Sequence, residues 1–209
     1  MLPSPSPLPT ASQSKSPRLS ALFALAIGAI ALSACSAKEE ALLGDFADNA
    51  TASAAFYDTQ GKVVGQIAFV EGPHGVIMRV DVKGLSQGWH GIHFHQKGDC
   101  SDGGAGFKAS ASHVDPADIA HGLMNPKGYE TGDLSNLYGG ADGRATAEFF
   151  IANVALNPGE EAAASFGQGN ILLDDDGFAV VIHEGPDDHQ SQPIGGAGSR
   201  VACAALVSG

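Results

Sequence analysis

After position 50 the chain is built from short apolar stretches separated by turn residues, and none of these stretches has a convincing helical period. Ala52–Tyr57 runs into a turn at Thr59-Gln-Gly61, Val63–Val70 into Glu71-Gly-Pro-His-Gly75, and Val76–Val82 follows. Further runs cover Ala145–Ala152, Asn170–Leu173, Phe178–Ile182 and Val201–Leu206, each bounded by Gly, Asp or Pro. Many short strands with regular turn signals predict an antiparallel sandwich or barrel. Gly98 to Asn136 breaks the pattern, being long, irregular and full of Gly, Pro, Asp and His. Long loops of that kind inside a compact domain usually carry function.

The N-terminal third reads differently. Residues 1–18 are Pro/Ser-rich with the cations Lys15 and Arg18, and Leu19–Leu32 is an almost continuous apolar run, too short for a relaxed membrane span. This predicts an export leader over 1–34. The run closes on Leu32-Ser-Ala-Cys35-Ser36, which resembles the bacterial lipoprotein signal, in which the cysteine becomes the lipid-bearing first residue; an ordinary small-residue cleavage site is the alternative. Ser36, with no Asp at that place, resembles signals sent to the outer membrane, so the expected location is the periplasm with a lipid anchor. Residues 35–50 then form a lipidated start and a tether, and 51–209 one domain.

Composition narrows the function. The 11 basic and 23 acidic residues give a net charge of −12, and loss of Lys15 and Arg18 leaves nine basic against 23 acidic, near −14. Such a chain is a poor partner for nucleic acid. If Cys35 carries lipid, Cys100 and Cys203 are left as an even pair in an oxidising compartment, which favours a disulfide over two unpaired thiols.

The histidines carry the chemistry. In His90-Gly-Ile-His93-Phe-His95, residues 93 and 95 share one face of a strand and present two imidazoles, while Phe94 points the other way into the core. His113 and His183, from distant segments, can complete the tetragonal nitrogen set that copper prefers. His74 in a Gly/Pro turn and His189 in a polar loop read as solvated and inert.

Gly88–His95, Gly98-Asp-Cys100, Gly132-Asp-Leu134, Val181-Ile-His-Glu184 with Asp187-Asp188, and Gly198–Cys203, in this order, resemble a bacterial copper/zinc superoxide dismutase over roughly residues 50–209. The resemblance implies an all-β Greek-key antiparallel barrel or sandwich with long metal-binding and electrostatic loops. It implies copper held by His93, His95, His113 and His183, with His113 bridging to zinc, and zinc held further by His121 and Asp133. His90 and Asp187 would orient ligands without binding metal, Asp187 by linking a copper ligand to a zinc ligand. Superoxide, as small-molecule substrate, would become oxygen and hydrogen peroxide as copper cycles between Cu(II) and Cu(I). His113 would carry a proton and Arg200 would guide the anion, with Lys97 and Lys108 as lesser contributors on nearby loops.

Two departures stand out. Glu130 occupies the position where the family pattern supplies another histidine. It either gives zinc a carboxylate oxygen, points to solvent and leaves zinc weakly bound, or belongs to a site that stays empty. The segment before His113 reads Ala111-Ser112 where relatives commonly have glycines. A copper-storage or copper-delivery lipoprotein on the same fold is the alternative function, and Arg200 speaks against it, because a storage module has no need of an anion-guiding cation.

Overall fold

The computed structural model describes residues 43–157 and 170–208. The leader, Cys35 and the start of the expected tether lie outside the described residues. Among the described residues nine strands follow a short helix α1 (Gly44–Asp48): β1 (Ala52–Asp58), β2 (Val63–Gly72), β3 (Gly75–Val82), β4 (Gly88–His90), β5 (Ile92–His95), β6 (Leu137–Gly139), β7 (Ala145–Ala152), β8 (Phe178–His183) and β9 (Arg200–Leu206). Seven of them make one curled antiparallel sheet in the order β5-β8-β9-β1-β2-β3-β7, and β4 pairs with β6 separately. After the β1-β2-β3 meander the chain crosses to the far edge of the sheet for β5, and it is the last strand, β9, that returns to lie beside β1. The expected all-β antiparallel architecture is the one found.

Alternation sorts the strands into two faces. Phe94, Phe178 and Phe69 pack edge-on and tilted, with centroids 5.4 to 6.2 Å apart, at the centre of the main core. Aromatic pairs of this kind add about 0.5–1.5 kcal/mol each beyond the area they bury. The opposite face of β8 and β9 puts Ala179, Val181 and Cys203 against Phe107, so β8 is buried on both sides. Its near-continuous apolar run follows from that double burial.

Two stretches differ from their expected form. Asn170–Leu173 makes no strand: Ile171 forms a single parallel bridge to Ala155, and the amides of Leu172 and Leu173 donate to Ala155 O and Leu156 O at 2.8 Å. Leu172 and Leu173 still reach the core, and the Asp174–Asp176 turn that follows leaves no length for a ladder. The last residues of the expected tether are packed. Leu43 is buried, Phe46 lies under the Arg79 guanidinium at 4.3 Å, and the Thr51 amide donates to Phe69 O at 2.7 Å.

Gly91 is where the chain passes from one pairing to the other. His90 pairs with Leu137 on β6, and Ile92 with Ile182 on β8. A Cβ at Gly91 would lie 2.9 Å from the Ala197 side chain and 3.2 Å from the His93 ring, so only glycine lets the backbone approach the histidines this closely.

Candidate metal centre

Strand β5 delivers His93 and His95, its outward face covered by the 98–136 loop. Two isolated bridges fix that loop on β5, His93 to Asp133 and His95 to His113. His183 ends β8, two pairing positions from His93's partner Val181, where the ladder slips against β9 and sets it opposite Arg200. Glycine at 132 is required here, since a Cβ would meet Phe94 O at 2.5 Å and the Val114 amide at 2.9 Å.

Each of the four histidines has one ring nitrogen engaged and one bare. His95 Nδ1–H donates to Ala111 O at 2.9 Å, His183 Nδ1–H to Gly198 O at 3.0 Å, and His93 Nε2–H to Asp187 Oδ2 at 2.9 Å. His113 Nδ1 is 2.6 Å from Glu130 Oε2. The remaining nitrogens, His93 Nδ1, His95 Nε2, His113 Nε2 and His183 Nε2, are buried without a hydrogen-bond partner. An unsatisfied buried polar atom costs about 1–3 kcal/mol, so four together, on rings 4.1 to 6.1 Å apart, call for an electrophile. The partner on the other nitrogen fixes each of these tautomers, the arrangement that metal-ligating histidines need.

Burial holds three of these rings neutral. It pushes His93 and His95 down, the latter strongly, and His183 to about 3; the charges of His113 and Arg200 add to the effect on His95 and His183. Neutral imidazoles near pH 7 have lone pairs free for a metal.

Beside them lies a second cluster of opposite character. His113 Nδ1, His121 Nδ1, Glu130 Oε2 and Asp133 Oδ1 converge, with His121 Nδ1 2.6 Å from Asp133 Oδ1 and 3.2 Å from Glu130 Oε2, and His113 Nδ1 3.5 Å from Asp133 Oδ1. Ligands of a tetrahedral zinc with bonds of roughly 2.0–2.1 Å sit about 3.3 Å apart, close to this spread. Glu130 therefore turns inward rather than to solvent. Asp133 spends its other oxygen on the Gly122 and Glu130 amides at 2.7 and 3.0 Å, leaving Oδ1 for the cluster. Burial opposes charge at His121, but the hydrogen bonds to Asp133, Asp187 and Glu130 win and raise it to about 11; His113 is raised against burial by Asp133 and Glu130. The carboxylates move the opposite way, Glu130, Asp133 and Asp187 all falling below their ordinary range despite burial because the histidines bond to them.

By distance alone His93 groups with His113, His121 and Asp133, and His95 with His113 and His183. Its bare Nδ1 and its Nε2 bond to Asp187 put His93 chemically with the nitrogen set. Asp187, fully buried in its side chain, joins the clusters: Oδ2 accepts from His93 and Oδ1 lies 3.2 Å from His121 Nε2. His90 spans two carbonyls, Nδ1 2.8 Å from His183 O and Nε2 2.9 Å from Ser86 O, and faces neither cluster.

Arg200 is bound by neutral oxygens. Nη1 donates to Phe107 O at 2.7 Å and Ser110 Oγ at 3.2 Å, and Nη2 to Ala111 O at 2.8 Å. The other described arginines, Arg79 and Arg144, pair with Glu148 and Asp81. Lys97 sits 3.6 Å from Asp176 on the surface and Lys108 is exposed. The disulfide Cys100–Cys203 forms, with Cα atoms 5.8 Å apart.

His74 is exposed as expected, but His189 is not a solvated bystander. Its amide donates to Asp187 Oδ1 at 2.6 Å, its side chain is mostly buried, and its Nε2 lies 3.2 Å from Asn136 Nδ2. Asn136 also brackets the Asp187 backbone, at 2.8 and 2.9 Å. Neither residue had a sequence signal, since a polar loop looks the same whether or not it folds over a carboxylate.

Comparison with known proteins agrees with this geometry. Residues 63–206 match the family model described as copper/zinc superoxide dismutase (SODC). The chain is 46% identical over 147 residues to a Cu-Zn superoxide dismutase of Caulobacter vibrioides, covering 70% of this chain and 79% of that protein. It is 34% identical over 162 residues to one of Aquifex aeolicus, covering 77% and 89%. Among solved structures, a SOD-like protein from Bacillus subtilis superposes with a TM-score of 0.67 at 30% identity, over 75% of this chain and 99% of that one.

Proposed function

The chain belongs to the copper/zinc superoxide dismutase family, and from that membership we propose that its nitrogen cluster is the copper site and its mixed cluster the zinc site of a superoxide dismutase. Two superoxide anions and two protons become dioxygen and hydrogen peroxide. Copper and zinc are the family's metals. His93, His95, His113 and His183 would hold copper through the four bare ring nitrogens. His113, His121, Asp133 and Glu130 would hold zinc, the two carboxylates being legitimate oxygen donors. Bound copper supplies reversible one-electron exchange with superoxide.

The chain's own residues do the rest. Arg200, which makes no ion pair with a carboxylate among the described residues although the charge of Asp102 acts on it, would draw the anion inward against a negative overall charge. His113 would take a proton at Nε2, whenever that nitrogen is not holding copper, and give it to the reduced dioxygen; its Nδ1 faces Glu130 and Asp133, which would share zinc with it. Asp187 keeps the His93 ring in its tautomer, and His90 would steady the end of β8 through the His183 carbonyl. We further propose that the protein is exported, loses residues 1–34 and is lipid-anchored through Cys35 in the periplasm, at the outer membrane. The apolar run ending at Cys35 and the disulfide, a bond of oxidising compartments, support this.

The observation that carries the reading is the set of four partnerless ring nitrogens. Copper-loaded protein should consume superoxide and show nitrogen hyperfine structure in its Cu(II) paramagnetic resonance, and His183→Ala should lose the activity and alter that hyperfine pattern. Tight copper binding without turnover would favour the storage reading instead.

A further inference from the structure

One turn grips both the guiding arginine and a copper-facing histidine. Ala111 O accepts from Arg200 Nη2 at 2.8 Å and from His95 Nδ1 at 2.9 Å. Ser110 Oγ stands between the same two side chains, 3.2 Å from Arg200 Nη1 and 3.3 Å from His95 Nδ1. Its own proton goes to Phe107 O at 2.8 Å, so its lone pairs face the two N–H groups. Ser110 is wholly buried, and it is the one side chain recorded in a hydrogen bond with Arg200 among the described residues.

We propose that Ser110 is a positioning residue that fixes the aim of Arg200 over the copper-facing nitrogens, joining the arginine to His95 through one hydroxyl. The inference rests on Arg200 guiding an anion, and it deepens that reading by naming what holds the arginine still. Two carbonyl acceptors define an axis about which a planar guanidinium can rock, and a third acceptor restrains it. A neutral hydroxyl does so without cancelling charge, whereas a carboxylate in its place would form an ion pair and remove the attraction. The turn is itself fixed at both ends. Phe107 (φ 55°, ψ 36°) and Ala111 (φ 64°, ψ −147°) hold left-handed backbone that side chains disfavour, and the disulfide from Cys100 ties its flank to the strand that carries Arg200.

The test uses the copper- and zinc-loaded protein with azide as a small monovalent anion, titrated by the Cu(II) absorption band. Ser110→Ala should weaken azide binding about tenfold, the scale of one hydrogen bond to a charged group, with copper stoichiometry and melting temperature unchanged. Ser110→Cys, which keeps the volume and a weak acceptor, should fall between. In an Arg200→Ala background, Ser110→Ala should change azide affinity less than twofold, because its effect passes through the arginine. Azide affinity within twofold of the parent in Ser110→Ala, or an equal loss with Arg200 absent, would overturn the proposal. A parent protein that binds azide through Arg200 and Ser110 yet consumes no superoxide would sustain it while removing the dismutase reading.

Discussion

The charge on Arg200 matters because of what it is not bonded to. An arginine in an ion pair presents a much weaker net field, whereas one held by carbonyls and a hydroxyl keeps more of its charge for the anion-guiding role proposed for it. Arg200→Glu should cut the second-order rate with superoxide by roughly 10- to 1,000-fold, the range of electrostatic steering, at constant copper content. Equal rates would remove the steering argument. The parent's rate should also fall as salt is raised, since screening weakens the local attraction. Two residues before His113, Ala111 holds a conformation that is close to glycine-only. Strain there is of order 1–3 kcal/mol, against about 0.5–1 kcal/mol of extra chain entropy lost by glycine. Ala111→Gly should therefore raise the melting temperature by about 2–4 °C, and scanning calorimetry checks it; a lower melting temperature would mean that the turn bears no strain.

At the scale of elements, the strand that carries His93 and His95 was legible because alternation is local: two histidines flanking a phenylalanine leave few ways to bury that phenylalanine. The long loop was equally legible as a functional region. Less visible were β4 and β6, whose three-residue pairing is too short to leave a periodic signal, and Asn170–Leu173, whose apolar residues fill the core from a bridge rather than a ladder. The clamp on Asp187 by Asn136 and His189 depends on loops brought together from far apart in sequence, so no local pattern encodes it. Glu130 lies between these cases, since its replacement of a histidine was visible and only the fold shows it turned inward. If its oxygen is a zinc donor, Glu130→Ala should weaken zinc binding by more than about 100-fold, beyond the ~10–100-fold cost of losing an outer partner, as measured by chelator competition. Glu130→His should retain zinc. Copper-loaded protein stripped of zinc should keep part of its activity and become more sensitive to pH, because titratable carboxylates, Glu130 and Asp133, then set the basicity of His113 in place of a fixed metal charge; an unchanged pH profile counts against this.

For the molecule as a whole, the disulfide spans 103 residues and constrains the unfolded chain by about 4.7 kcal/mol on chain-entropy grounds. That leaves the metal-free fold able to hold two opposed clusters of buried titratable groups, whose pH dependence follows from the directions of their shifts. His93, His95 and His183 refuse in the folded state protons that the unfolded chain accepts near pH 6.5, so acid favours unfolding as soon as pH drops below that value, and His183 continues the trend down to about 3. The depressed Glu130, Asp133 and Asp187 act in the same sense: their contribution is present above the ordinary carboxylate range and is lost as pH falls through their folded values. His121 and His113 act oppositely. Their raised affinity stabilises the fold fully below pH 6.5 and fades as pH climbs, for His121 toward about 11. The melting temperature of chelator-treated protein should thus peak near neutrality and decline on both limbs. Zinc displaces the protons that support the alkaline limb, so loading should raise the melting temperature more at pH 9 than at pH 6. Calorimetry from pH 4 to 10 decides it: a metal-free curve that rises steadily through pH 10 would mean that the carboxylates do not hold those protons, and that the mixed cluster is not built to exchange them for a metal.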